Sequence, residues 1–196
     1  MAGVGPQPGY GVVNQQFGPL RYAARRGSLF RGGNQAVVAT ALQTGLTTAS
    51  TGGLILYNPL TSKVNLSILE AAFGFIVAQT AAGVIGLAVG YNATTALTGT
   101  LTAITPVNAL AGSSVTPVGK LYSSATITLP TAPVLAKILT TVETGAITVA
   151  PNDGPATSNI GGGIELTPGS YCLFVSSGAS VASSFFGSFA WEECSP

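Results

Sequence analysis

Few residues in this chain can carry chemistry. The acids are Glu70, Glu143, Asp153, Glu165, Glu192 and Glu193, the thiols are Cys172 and Cys194, and there is no histidine. Without an imidazole the Ser–His and Cys–His nucleophile arrangements are excluded. Two cysteines cannot close a tetrahedral metal site. A glycosidase needs two carboxylates facing one bond, and such a pair would have to be assembled from distant acids. Glu192 and Glu193 do not supply it, because neighbours on a strand point to opposite faces. Asn152-Asp153-Gly154 is turn chemistry with too few oxygen donors nearby for calcium. The run Gly161-Gly162-Gly163 reads as a turn, since no phosphate-binding loop leads into a helix. The expectation is a protein that is not an enzyme and uses no cofactor and no metal.

The basic residues are placed less evenly. Of seven Lys and Arg, four lie in the first 35 residues, whereas the first acid is Glu70. Gly and Pro punctuate this segment, and it holds Tyr10, Phe17, Tyr22 and Phe30 among its arginines. It reads as an extended arm, residues 1–35, preceding a domain of residues 36–196. Guanidinium forks and buried rings pin such an arm to a partner. The expected partner-binding residues are Arg21, Tyr22, Arg25, Arg26, Phe30 and Arg31. The competing reading folds the arm back on its own domain.

The whole chain is poor in charge. Seven basic and six acidic residues make 7% of 196, against about 25% in typical soluble domains. A surface so weakly charged is poorly protected against association. It is therefore expected to be covered by copies of itself or by partners, the alternative being a surface solvated by Thr, Ser, Asn and Gln. The net charge of +1 points to no nucleic acid. The N-terminus shows no basic region followed by an apolar run, so no signal peptide is apparent.

Residues 71–91, AAFGFIVAQTAAGVIGLAVGY, contain no charge and are long enough to span a membrane. Their period argues otherwise. Phe73, Phe75 and Val77 lie two apart, as do Ile85, Leu87 and Val89, with a turn-like QTAAG between them, and no Lys or Arg cluster flanks the stretch. The expectation is a buried hairpin of two strands, with no membrane contact. In residues 63–77, Val64, Leu66 and Ile68 share one phase, and Leu69, Ala71, Phe73, Phe75 and Val77 share the other. The switch predicts a β-bulge, or a bend where the strand changes sheet.

Further strands are expected at 35–42, 52–60, 83–91 and 120–130, then a short strand opening 145–156 ahead of its turn, one after the Thr-Pro-Gly-Ser turn in 161–177, and a last one at 182–193. In the last of these, Phe185, Gly187, Phe189 and Trp191 fall on one face, with Trp191 in the core. Residues 133–145 carry an apolar stripe that suits a helix, although their Val, Ile and Thr also suit a strand. Residues 92–118 show little pattern. Cys172 and Cys194 read as free thiols, with one bridge possible if their strands are neighbours. About eight to ten short strands with closely spaced turns indicate an all-β chain. The fold class expected is a jelly-roll-like β-sandwich with an extended N-terminal arm and at most one short helix.

Four stretches carry a resemblance to small structural proteins of tailed bacteriophage virions: RGSLFRGGNQAVV (26–38), LILYNPLTSKVNLSILEAAFGF (54–75), LTPGSYCLFV (166–175) and FFGSFAWEE (185–193). The resemblance implies a jelly-roll module on the capsid surface. In this role the chain is a decoration or cement protein, a homo-oligomer (trimer or dimer) that binds the major capsid protein and stabilises the phage head. The alternative it implies is a tail, baseplate or fibre component involved in host-surface attachment. It assigns no functional residues.

Overall fold

The computed structural model describes residues 19–35, 38–39, 46, 48, 51–77, 83–142, 156–176 and 184–196. A short helix, α1 (Pro19–Arg26), opens the described chain. Nearly everything after it is strand: β1 (Leu29–Gly33), β2 (Val38–Ala39), β3 (Thr51–Tyr57), β4 (Asn65–Val77) and β5 (Gly83–Tyr91). The short strands β6 (Thr98–Gly99), β7 (Thr102–Ile104) and β8 (Val107–Asn108) come next. Then follow β9 (Lys120–Thr128), β10 (Val134–Val142), β11 (Ala156–Leu166), β12 (Ser170–Ser176) and β13 (Ser184–Cys194).

Two antiparallel sheets result. Sheet A runs β11-β4-β13-β1-β8, with β2 also on β13, and sheet B runs β10-β5-β12-β3-β9-β6, with β7 also on β9. The pairing of the longer strands is nested. Leaving aside β2 and β6 to β9, the first strand pairs with the last, β1 with β13. Inward from there β3 pairs with β12, β4 with β11 and β5 with β10. A long hairpin rolled up in this way is a jelly roll.

Strand β4 explains the phase switch in its sequence. Against β13 its register steps from Glu70 to Ile68 over the consecutive Ala190 and Trp191, so Leu69 is the extra residue there, and against β11 Leu69 falls in a register break whose longer side is β11. The bulge brings Leu66 and Ile68 on one side and Ala71 and Phe73 on the other into one core. The strand therefore re-phases within sheet A and does not change sheet. On β11 the opposing irregularity spans Ile160 to Gly163, so the three glycines lie within a strand.

The core between the sheets is aromatic. Phe174 of β12 meets Phe73, Phe185 and Phe189 at centroid distances of 5.9, 5.7 and 4.9 Å. Each fully buried ring or branched aliphatic side chain contributes about 1.5–3 kcal/mol. Trp191 is fully buried, as its place on the alternating last strand predicts. A second apolar layer lies on the outer face of sheet B. Ile55, Tyr57, Ala88, Tyr171, Leu173 and Val175 are covered there by Leu97, Ile127 and Leu129. Residues 92–133, inserted between β5 and β10, thus cover the outer face of sheet B and also supply the extra strand β9. Tyr171 donates its phenol hydrogen to the carbonyl of Thr131 at 2.5 Å. Its ring lies where a side chain on Gly90 would stand, so glycine is required there.

Three expectations change. Strands β4 and β5 lie in different sheets and do not pair, so 71–91 is a connection across the sandwich and not a hairpin. Its expected turn at 78–82 lies outside the described residues. Residues 134–142 form a strand and not a helix, because β5 offers a ladder that rewards the β-branched residues of the segment. The one helix among the described residues lies in the expected arm. Residues 1–18 of that arm, the Asn152-Asp153-Gly154 turn and most of the 35–42 strand fall outside the described residues. Both cysteines are free.

Candidate partner-binding surface

From Pro19 onward the expected arm is built into its own sandwich. Helix α1 ends because Gly27 adopts φ +70. The Gly27 amide donates to the Ala24 carbonyl at 3.0 Å and the Ser28 amide to the Ala23 carbonyl at 3.1 Å, which closes the last turn. Arg25 and Arg26 occupy that turn, where cations suit the negative end of the helix dipole. Strand β1 follows and sits inside sheet A between β13 and β8.

The six expected site residues separate. Arg25, Arg26 and Arg31 are exposed on α1 and β1. Arg21 and Tyr22 lie on the same helix. Phe30 is 1% exposed and stacks near Trp191 at 6.1 Å. Phe30 is therefore a core residue and no partner can reach its ring. Along β1 both Leu29 and Phe30 are buried and only Arg31 is exposed, so no alternation in the sequence marks the ring as a core residue.

Sequence reasoning misses the apolar side chains beside these arginines. Arg31 lies opposite Val107 of β8. Val107 is 63% exposed, and Leu110, Val115 and Val118 are also exposed on the segment that follows. This segment is tied to the rest of the sandwich. Asn108 donates from Nδ2 to the Gly27 carbonyl at 2.8 Å, and the Ala109 amide donates to the Leu29 carbonyl at 2.9 Å. At its far end the amides of Val118 and Gly119 both donate to Glu193 Oε1 at 2.8 Å. Ser28 Oγ donates to Glu192 Oε1 at 3.1 Å. The two adjacent acids of the last strand thus act as latches, one holding the helix cap and the other the 107–119 segment. The surface they fix combines guanidinium groups with exposed aliphatic side chains, a mixture suited to binding protein.

The thiols are poor nucleophiles. Burial pushes the Cys172 thiol far above its ordinary range. Cys194 is also raised, first by burial and then by the Glu192 and Glu165 carboxylates, with a Ser67 backbone hydrogen bond and Arg26 opposing. A thiol held neutral is unreactive. Among the described residues no three His, Cys, Asp or Glu side chains come together as a metal site, and no helix is long and apolar enough to cross a membrane.

Comparison with protein families, curated proteins and solved structures gives no match to this chain.

Proposed function

We propose that the chain is a non-enzymatic structural protein of a virion, a decoration or cement protein that coats and stabilises a phage head as a homo-oligomer. The observation that carries this reading is the face formed by α1, β1 and the 107–118 segment. There Arg31 lies opposite the exposed Val107, and Arg25 and Arg26 are exposed on the helix that leads into β1, in a chain that carries little charge elsewhere. A rigid sandwich presenting such a face suits a subunit lying on a repeated lattice, where many weak contacts add by avidity. The resemblance of the four sequence stretches to phage virion proteins supplies the capsid itself.

The test is co-sedimentation of the purified chain with heads lacking it. Removing residues 1–35 would remove β1 from the middle of sheet A, so charge reversal is the usable probe. The triple variant Arg25→Glu, Arg26→Glu, Arg31→Glu is expected to fold and to lose head binding by about 100-fold or more, as loss of several interface arginines does. Binding by the triple variant at the wild-type level would remove this face from the account.

A further inference from the structure

Residues 105–118 run along the sandwich without one buried residue among them, and none belongs to either core cluster. At the tip Gly112 adopts φ +83, and the Ser113 amide donates to the Leu110 carbonyl at 3.0 Å. A side chain on Gly112 would meet nothing within 4 Å. The tip is a tight turn standing clear of the sheets.

The segment is held at its ends. Strand β8 pairs with β1 at two positions only, Asn108 with Phe30 and Val107 with Arg31. Asn108 Nδ2 and the Ala109 amide add bonds to the Gly27 and Leu29 carbonyls. The segment then passes over Gly27, which has no side chain to grip it. A Cβ there would still lie 3.5 Å from Ser113 Oγ and 3.8 Å from Val115 Cγ2. The far end rests on one atom. Glu193 Oε1 accepts the amides of Val118 and Gly119, each at 2.8 Å, and the Trp191 indole nitrogen lies 3.5 Å from the same oxygen. Behind this latch the backbone meets the core. A side chain on Gly119 would stand 2.9 Å from Leu66 Cδ1 and 3.0 Å from Trp191 Nε1. Two kinds of stability therefore adjoin. Buried rings hold the sandwich, whereas the segment is held by hydrogen bonds that water can replace. Exposed backbone with few apolar contacts opens at a lower free energy than the fold as a whole.

We propose that residues 107–119 form a strap that opens as a unit while the sandwich stays folded, with Glu193 as its latch. Release of the two amides from Glu193 lifts the strap, strips β8 from β1 and lets water reach the Trp191 indole. Closed, the strap holds Val107 opposite Arg31 and fixes Leu110, Val115 and Val118 in place. A partner that binds this face therefore selects the closed form. That consequence rests on the proposed function, whereas the opening itself does not.

Native-state hydrogen exchange of the full chain in rising urea tests the opening without a variant. The amides of Leu110, Ser113, Val118 and Gly119 should exchange faster than those of β13, with little dependence on urea, because a local opening exposes little surface. Glu193→Ala should speed exchange at Val118 and Gly119 by at least about tenfold, the loss expected for hydrogen bonds to a charged group. It should also raise acrylamide quenching of Trp191, the one tryptophan in the chain. Exchange in β5 and β12 should not change. Asn92→Ala removes a similar clamp on the Thr94 and Thr95 amides and should leave the strap as it is. Strap amides as slow as those of β13, failure of Glu193→Ala to fold, an effect spread over every strand, or quenching at the wild-type level would overturn the strap. Binding is read separately. On heads, the wild-type strap should exchange at least about tenfold more slowly than in the free chain. Exchange unchanged on binding would remove the strap from the partner face. No binding at all would refute the proposed function and leave the opening as measured in the free chain.

Discussion

Asn58 joins the two sheets at the scale of a single residue. Its Nδ2 donates to the carbonyls of Val64 and Leu166, each at 2.8 Å, while its own amide donates to the Ser170 carbonyl at 2.9 Å. The side chain is fully buried, so no water replaces it when it is removed. Asn58→Ala is expected to cost about 2 kcal/mol, the penalty for stranding buried carbonyls. That corresponds to a fall in Tm of about 4–8 °C in a chain of this size. A calorimetric Tm within about 1 °C of wild type would show that the bridge does not hold the sheets.

The buried hydroxyls and thiol set a pH dependence. Burial raises Cys172 above its ordinary value of 9.0 and raises Tyr57 and Tyr171 above 10.0. The folded chain holds these groups neutral, whereas the unfolded chain releases their protons near the ordinary values. Above about pH 9 the unfolded state therefore binds fewer protons, and stability falls as pH rises. The urea midpoint should be insensitive to these groups below about pH 8 and should decline from about pH 9 upward. A midpoint that rises between pH 9 and 11 would contradict the assignment. Cys172 should also resist a thiol reagent until the chain is unfolded.

At the scale of elements, β4 shows how local pattern and tertiary fold are reconciled. Leu69 is skipped by both of its neighbours, and the residues on either side of it share one core. Deleting Leu69 should force one half of the strand to turn its apolar set outward, because a one-residue slip exchanges the faces. The deletion is expected to prevent folding or to cost more than about 3 kcal/mol, whereas Leu69→Ala, which keeps the count, should cost no more than about 1.5 kcal/mol. Circular dichroism melts of the two variants separate these outcomes. Equal stability of the two would deny the bulge its role.

The same comparison shows which elements the sequence discloses. Strands β4, β5, β9 and β13 alternate in full view, because each has one face in the aromatic core and period two follows from that, whereas β12 is buried on both faces and reads as a continuous apolar run. Residues 92–118 of the insertion were opaque for the opposite reason. Leu97 reaches the outer face of sheet B singly, from irregular backbone, and an isolated contact leaves no period. Strand β10 was ambiguous because its outward residues Leu135 and Ile138 are three apart across a bulge, a spacing that also suits a helix. The partner surface was half legible. The clustering of arginines marked α1 and β1, but nothing local linked them to Val107 or Leu110, which reach Arg31 only through the pairing of β8 with β1. Phe30 was misplaced because a Gly-punctuated segment gave no sign that it enters the sheet.

At the scale of the molecule, the nested pairing of strands gives a sandwich covered on one side by its own insertion, while on the other side β10 pairs, among the described residues, with β5 only. The basic and aliphatic face lies with the covered side, on β1 and β8. A subunit bound into a shell as proposed leaves few surfaces bare, and its low charge then matters little. The most direct test of the central claim is the copy number of this chain per purified particle, relative to the major capsid protein. The account predicts on the order of hundreds of copies, because icosahedral symmetry multiplies every surface position. Single digits or low tens per particle would contradict it and favour a tail or vertex component, and absence from the particle would end the virion reading altogether.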